Sequence, residues 1–307
     1  MNFSVIMPAH NAERYIEAAL HSARDQTLAP HEIIVINDRS TDGTQQKIKA
    51  SGVDVVYLES DFGNAAAARN AAVQRATGDW LAFLDADDIW YPNHLQEAAG
   101  LLRGTDDVGY FSLLDTYFHE TGDLKHHHNY WPLTPPASAL SHQDYMRCWL
   151  TKFFFHMITT VVRADRFREV GGFNPEQRRR HDFEMWLRVI HEHTWSYNNA
   201  VTARYSGDTP GSISREDWAS SEWYQFRGLL MNLQRYKDCG MPVLLQRVGR
   251  RMTAAAFTDG TAEDRAKARE LAWTHLHPRD RAVFTAAGFA PRGFRTLNKL
   301  KRRVMMR

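Results

Sequence analysis

The 307 residues are 43% hydrophobic and 24% charged, which suits a water-soluble chain with one large core and an appendage. The net charge of +2 hides an asymmetry: residues 291–307 carry seven Lys/Arg and no acid, and without them the balance is −5. A mildly acidic body with a basic tail implies no broad basic face, which argues against nucleic acid as the main partner. Cys148 and Cys239 lie far apart without pairing or metal-ligand spacing, as expected in a reducing compartment. The start "MNFSVIMPAHN" lacks a basic n-region, and Pro8 interrupts its apolar run, so no signal peptide is expected. The longest apolar stretch, around Phe153 to Val162, contains His156 and is too short to span a bilayer, so a cytoplasmic protein is expected.

In chain order, "SVIM" (4–7), "EIIVI" (32–36), "VDVVYL" (53–58) and "WLAFL" (80–84) have the composition and length of strands. Helical patterns fill 13–25, 42–50, 65–76 and 93–102. Such alternation over short loops predicts a mostly parallel sheet flanked by helices, with ligands at the carboxyl ends of its strands. "PAHN", "NDRSTDGT" and "DADD" follow the first, second and fourth strands, so all three loops converge on one rim. Further strands are predicted over 108–118 and 156–163. A helix over 181–192 places Phe183, Trp186, Leu187 and Ile190 on one face. The long polar, Pro-bearing loop 119–138 reads as a mobile acceptor lid. From about 216 the pattern is helical, near 216–237, 242–258, 262–276 and 293–306.

"FLDADDIW" (83–90) places three carboxylates in four positions behind an apolar run. Like charges that close repel one another and lose solvation, so the cluster needs a cation, hydrogen-bond donors or water. Asp88 is expected to cap the helix starting near Asn93, and Asp42 with Thr41 to cap the helix after the second strand.

Four segments in order, "SVIMPAHNAERYIEAALHSARDQT", "IIVINDRSTDGT", "GNAAAARNAAVQRATGDWLAFLDADDIW" and "GGFNPEQRRRHDFEMWLRV", resemble the family 2 glycosyltransferases. These are inverting enzymes of the GT-A fold, with a Rossmann-like, mostly parallel sheet, that use nucleotide-diphospho-sugars. The resemblance covers about residues 1–215 and implies a nucleotide-sugar-binding and catalytic domain there. Residues 216–307 form a separate helical C-terminal region without a motif. The chain is similar to members that build bacterial surface polysaccharides, which implies a saccharide or lipid-linked acceptor.

The resemblance also assigns residues. Asp85 and Asp87 match the family's DxD, with Asp87 on Mn²⁺ or Mg²⁺ and Asp85 facing the ribose or a metal-bound water. Hard oxygen ligands suit such cations, which substrate phosphates complete. Asp38 matches the acid that accepts from the nucleobase; a uracil imide N–H suits it, which implies a UDP-sugar. The family usually has Asp-Asp-Gly there, whereas this chain has Asn37-Asp38-Arg39. Pro8, Ala9 and Asn11 match the loop lying along the nucleoside, and Asn64 and Arg69 a further nucleotide-binding segment. Arg69 has two readings, contact with the base or diphosphate and a helix-surface salt bridge. Asp182 follows Gly171-Gly172-Phe173 where the family places its general base, with His181 replacing the usual Glu. A base is needed because a sugar hydroxyl is a poor nucleophile until its proton is taken. Arg204 and His181 are expected near phosphate or acceptor. Ser206 stands where relatives carry a histidine, and Asp208 is a candidate substitute on the metal.

The run His126-His127-His128 reads as a solvated loop rather than a metal site. Trp131 and the aromatics 153–155 read as core packing, with sugar stacking as the alternative. Two rival functions stay open, a non-catalytic nucleotide-sugar-binding or scaffold protein and a sugar nucleotidylyltransferase. "MPAHNAERY" lacks the Gly-rich basic loop that the latter wants. Glycoside hydrolysis would need no nucleotide loops. The tail supports two readings. Phe294, Leu297, Leu300 and Val304 form a stripe that docks on the body, or one that lies on anionic lipid at the inner membrane face. On the second reading the protein is peripheral on that membrane.

Overall fold

A computed structural model describes residues 1–126, 139–150, 155–209, 218–258 and 262–289. The expectations for Trp131, Phe153, Phe154, His127, His128 and the tail 291–307 fall outside these. The chain divides into two compact units, residues 1–212 and 213–307.

The first unit opens with strand β1 (Phe3–Ala9), helix α1 (Ile16–Arg24), β2 (Glu32–Asp38), α2 (Thr44–Ala50), β3 (Val56–Ser60), α3 (Ala65–Arg75) and β4 (Trp80–Phe83). These strands pair in parallel in the order β3-β2-β1-β4. The chain steps outward from β1 to β3 and then returns to β1's other side. That reversal opens a crevice between the carboxyl ends of β1 and β4. β1, β2 and β4 are buried on both faces, which is why their sequences read as continuous apolar runs.

Then follow β5 (Ile89–Trp90), α4 (His94–Leu102), β6 (Gly109–Phe118), β7 (Asp123–His126), β8 (Leu140–Ser141), α5 (His142–Leu150), β9 (Thr160–Arg163), α6 (Ala164–Glu169), α7 (His181–Ile190) and β10 (Thr194–Ser206). β9 enters antiparallel between β4 and β6, and β10 runs parallel to β6. The pairing of β10 shifts between Tyr197 and Ala203. Such an irregularity breaks the alternation from which a strand is read in sequence. Phe183, Trp186, Leu187 and Ile190 of α7 are buried, each contributing about 1.5–3 kcal/mol of burial. Phe155 packs on Phe111 and Tyr145, as core rather than sugar platform.

The expected lid over 119–138 begins differently. Residues 119–122 turn the chain through Gly122 at φ +74°, and β7 pairs back on β6. His126 is solvent-exposed as expected but lies in this hairpin strand rather than in a loop, with Nδ1 2.9 Å from Asp115 Oδ1.

The second unit contains α8 (Trp218–Met231), α9 (Met241–Thr258), α10 (Ala262–Ala272) and α11 (Pro278–Phe289). α9 packs against the other three. A Cβ on Gly249 would lie 3.0 Å from the Phe226 ring, so the glycine admits that close approach. Among the described residues no helix is long and apolar enough to cross a membrane.

Candidate active site

The crevice is lined first by the turns leaving β1 and β2. Asn11 (φ 49°) and Arg39 (φ 60°) are both left-handed, so the chain bends sharply out of each strand. Pro8 and Ala9 end β1. Asn11 faces the β2 loop: its Oδ1 accepts from the Thr41 N–H at 2.9 Å, and its own N–H donates to Ser40 Oγ at 3.0 Å. His10 Nδ1 donates to the Asp38 carbonyl at 2.6 Å, which leaves Nε2 to accept from the Asn11 amide at 3.3 Å. Asp42 accepts from the Thr44 N–H at 3.1 Å where α2 begins, but the cap position itself is Gly43, which makes no side-chain cap bond.

Asp38, 5% exposed, is surrounded by donors. Oδ1 accepts from Ser60 Oγ (3.1 Å) and the N–H groups of Phe62 (2.7 Å) and Gly63 (3.2 Å), and Oδ2 from the Asn64 N–H (3.0 Å). Burial raises its pKa, but the Asn64, Gly63 and Phe62 amides and the Ser60 hydroxyl outweigh it and hold the carboxyl below its usual range. The carboxylate thus shapes the loop that launches α3, and Oδ2 keeps acceptor capacity toward a ligand.

α3 ties the two sides of the site together. Asn64 caps it, accepting from the N–H groups of Ala66 and Ala67 at 3.0 and 3.1 Å, and donates to the Pro175 carbonyl at 2.8 Å. Asn70 exchanges two hydrogen bonds with the Phe173 backbone, at 2.7 and 2.9 Å. A Cβ on Gly172 (φ +70°) would lie 2.8 Å from Asn70 Oδ1, so glycine is required for both conformation and room. Arg69 is 4% exposed, so it is no helix-surface salt bridge. Its Nη2 donates to Asp85, and its Nη1 lies 2.9 Å from His181 Nε2.

Beyond β4, Asp85, Asp87 and Asp88 gather beside that one guanidinium. Asp88 is 1% exposed and does not cap α4; its Oδ1 accepts from the Ser206 N–H at 2.7 Å, and its Oδ2 is buried without a partner. The expected cap fails because β10 passes within reach while α4 begins at His94 with no side-chain cap. The Ser206 hydroxyl donates to the Asp87 carbonyl. Burial, then the Asp85 charge, pushes the Asp87 pKa up; burial, then Asp87 and Asp85, pushes Asp88 well above its ordinary value. Asp208, the candidate substitute for the missing histidine, is engaged by its own loop: its oxygens accept from the N–H groups of His119 and Glu120 at 2.6 and 2.7 Å. Among the described residues no three or more His, Cys, Asp or Glu form a metal cage. The donor set fits a hard divalent cation nonetheless. Such an ion uses one or two carboxylates plus substrate phosphates, and beside Asp87 the Asp88 Oδ2 is buried without a donor.

Asp182 sits in the first turn of α7. Among the described residues its carboxylate has no hydrogen-bond partner, whereas Glu184, two residues on, pairs with Arg188 at 2.7 Å. Arg188 Nη2 also donates to the Gly172 carbonyl at 2.8 Å, fixing the glycine turn against α7. His156, which in the sequence only interrupts an apolar run, lies where Asp182 and Asp85 both act on it, with its ring 4.5 Å from that of Tyr205. Burial lowers its pKa against those two carboxylates. Arg204 lies beside Asp115 on β6, its guanidinium 4.9 Å over the Tyr117 ring.

The family model for glycosyl transferase family 2 matches residues 4–170. The chain belongs to that family. It is 29% identical to the putative teichuronic acid biosynthesis glycosyltransferase TuaG of Bacillus subtilis over 73% of this chain and 86% of TuaG. It is 42% identical to the Escherichia coli UDP-Glc:alpha-D-GlcNAc-diphosphoundecaprenol beta-1,3-glucosyltransferase WfgD, over 30% of this chain and 38% of WfgD. An uncharacterized glycosyltransferase of Rickettsia typhi is 26% identical over 61% of this chain, and the match spans only 58% of that relative. The fold matches S. aureus TarS 1–349 in complex with UDP-GlcNAc, with a TM-score of 0.69 and 18% identity over 99% of this chain and 92% of TarS 1–349. It also matches the Pyrobaculum calidifontis mannosyltransferase PcManGT in complex with GDP-Man and Mn²⁺, with a TM-score of 0.57 and 16% identity over 97% and 88% of the two chains. The sheet thus has the GT-A architecture expected from the motif order.

Proposed function

We propose that this chain transfers a sugar from a UDP-sugar, with inversion, to a hydroxyl of a saccharide or lipid-linked acceptor in surface polysaccharide synthesis. The observation that carries this reading is the α3 tie: Arg69 bonds Asp85 on the donor side and His181 on the base side, next to Asp182. Family membership and the names of TuaG and WfgD support the reaction and acceptor class. The spare acceptor capacity of Asp38 Oδ2 and the UDP-GlcNAc complex of TarS support a uridine donor.

In this reading the crevice beside Pro8, Ala9 and Asn11 holds the nucleoside, with Asp38 and Asn64 at the nucleobase end. Asp87 holds Mn²⁺ or Mg²⁺, which when bound offsets the charge growing on the departing diphosphate. Asp182, whose carboxylate is uncommitted, takes the proton of the acceptor hydroxyl. That oxygen then forms its bond to the anomeric carbon as the bond from that carbon to the diphosphate oxygen breaks on the opposite face. One displacement with one base inverts the centre. Arg204, beside Asp115 and over the Tyr117 ring, is assigned to phosphate or acceptor contact.

The test is release of UDP from UDP-GlcNAc and UDP-Glc, with and without Mn²⁺ and with saccharide or lipid-linked acceptors. Metal-dependent, acceptor-stimulated release that Asp182→Asn abolishes is the expected result. Binding without any release would instead favour the non-catalytic nucleotide-sugar-binding reading.

A further inference from the structure

His181 stands where the resemblance expects a carboxylate, and the structure gives it a partner that restricts its chemistry. Arg69 Nη1 lies 2.9 Å from His181 Nε2. A guanidinium has donors only, so Nε2 must present its lone pair and the ring must carry its single proton on Nδ1. The other arm of the same guanidinium, Nη2, donates to Asp85. Arg69 is buried on α3, so its orientation is set by these two acceptors rather than by water.

The alternatives at position 181 differ in a definite way. A second carboxylate would divide the guanidinium's charge between two anions. An apolar ring would leave Nη1 without an acceptor in a place where Nε already lacks one. An imidazolium would set two cations against each other. The neutral imidazole accepts one hydrogen bond through Nε2 and leaves the full positive charge to Asp85, at the cost of an Nδ1 that is buried without a hydrogen-bond partner. The surroundings favour it: burial and the Arg69 charge push His181 down to about 4, against Asp182 and Asp85. The start of α7 is anchored separately, through Arg188 on the Gly172 carbonyl and Asn70 on Phe173. The effect of His181 is therefore directed at Arg69 and not at the placing of the helix.

We propose that His181 is a positioning residue that, as a neutral Nδ1–H imidazole accepting from Arg69, holds the guanidinium on Asp85 and so joins the donor-side carboxylate to the base-bearing helix. This rests on the nucleotide-sugar reading for its functional consequence, though the Arg69–His181 bond itself does not.

Two measurements test it. Imidazole ¹⁵N shifts of full-length protein, with His181 assigned by its loss in His181→Gln, should show protonated Nδ1 and bare Nε2 persisting at pH 5.5. An Nε2–H tautomer, or titration near the ordinary 6.5, would overturn the proposal. Calorimetry with UDP and Mn²⁺ is the second. His181→Gln, whose amide oxygen can still accept from Arg69, should bind within about threefold of wild type, and His181→Phe roughly tenfold more weakly. The His181→Phe effect should vanish in an Asp85→Asn background; equal losses in both backgrounds would reduce His181 to packing and overturn its positioning role. A wild-type protein without UDP affinity would sink the nucleotide reading, while the imidazole shifts would still decide the bond.

Discussion

Asp38 after β2 and Asp88 after β4 are both buried at the same rim, yet their loops treat the charge in opposite ways. Four donors surround Asp38 and hold its pKa down, whereas Asp88 has one backbone donor, an orphaned oxygen and two neighbouring carboxylates that push its pKa up. A carboxylate saturated by its own chain holds a loop in shape. One left short of donors carries an unmet demand for a cation or proton. The same division separates Asp208 and Glu184, both occupied, from Asp182, whose carboxylate is uncommitted.

The largest effect that would sharpen this contrast is at Asp182. Asp182→Asn should slow sugar transfer roughly 10²–10⁴-fold while leaving UDP affinity and unfolding midpoint near wild type. Steady-state UDP release beside calorimetry measures both, and near-normal turnover in the folded variant would remove the base assignment. Next comes Asp87→Ala, expected to lower transfer roughly 10²–10³-fold and to abolish the Mn²⁺ dependence of UDP binding. If wild-type protein binds UDP equally well in EDTA, the β4 loop does not await a cation.

On the saturated side the readout is stability. Asp38→Asn puts an amide group against backbone N–H donors and should cost about 2–3 kcal/mol in urea unfolding, whereas Asp182→Asn should cost under about 0.5. Comparable costs at the two positions would break the comparison.

The smallest effect depends on pH. Asp88 has a folded pKa raised above 3.8, so its charge costs stability at neutral pH, and that cost disappears as pH falls through the folded pKa. Asp88→Asn keeps an acceptor for the Ser206 N–H and should stabilise the metal-free protein by about 1 kcal/mol at pH 7. The difference from wild type should close as pH approaches 4. Asp38 has the opposite sign: its contribution is present above 3.8 and is lost at lower pH as its depressed folded pKa is crossed. Paired denaturation curves from pH 7 to 4 check the first sign, and a gap that widens on acidification would contradict it.

Much of the site is legible in the amino-acid sequence because it lies on local patterns. β1, β2 and β4 are short apolar runs ended by polar loops, and the Gly-Gly-Phe turn precedes Asp182 at a fixed short distance. Side-chain partnership is not legible there. Arg69 reads equally as a surface residue because a helix of alanines offers no stripe to say which face is buried. Asp88 reads as a cap because the strand that claims it, β10, lies more than a hundred residues away. β10 itself is hidden by its shifted pairing, and β7 by the polarity of an exposed hairpin.

Composition, periodicity and motif order by themselves determined an α/β chain, the rim where three loops converge and the family to which it belongs. Those are properties of neighbouring residues, where strand alternation, turn chemistry and fixed spacing act over a few positions. The tertiary structure alone decided which carboxylates are satisfied and which are left wanting, and that Arg69 spans Asp85 and His181. The physical reason is that hydrogen-bond donors and burial reach a charge from any part of the chain. A carboxylate's role depends on what surrounds it in space, and Asp38 and Asp88, alike in sequence, differ only there.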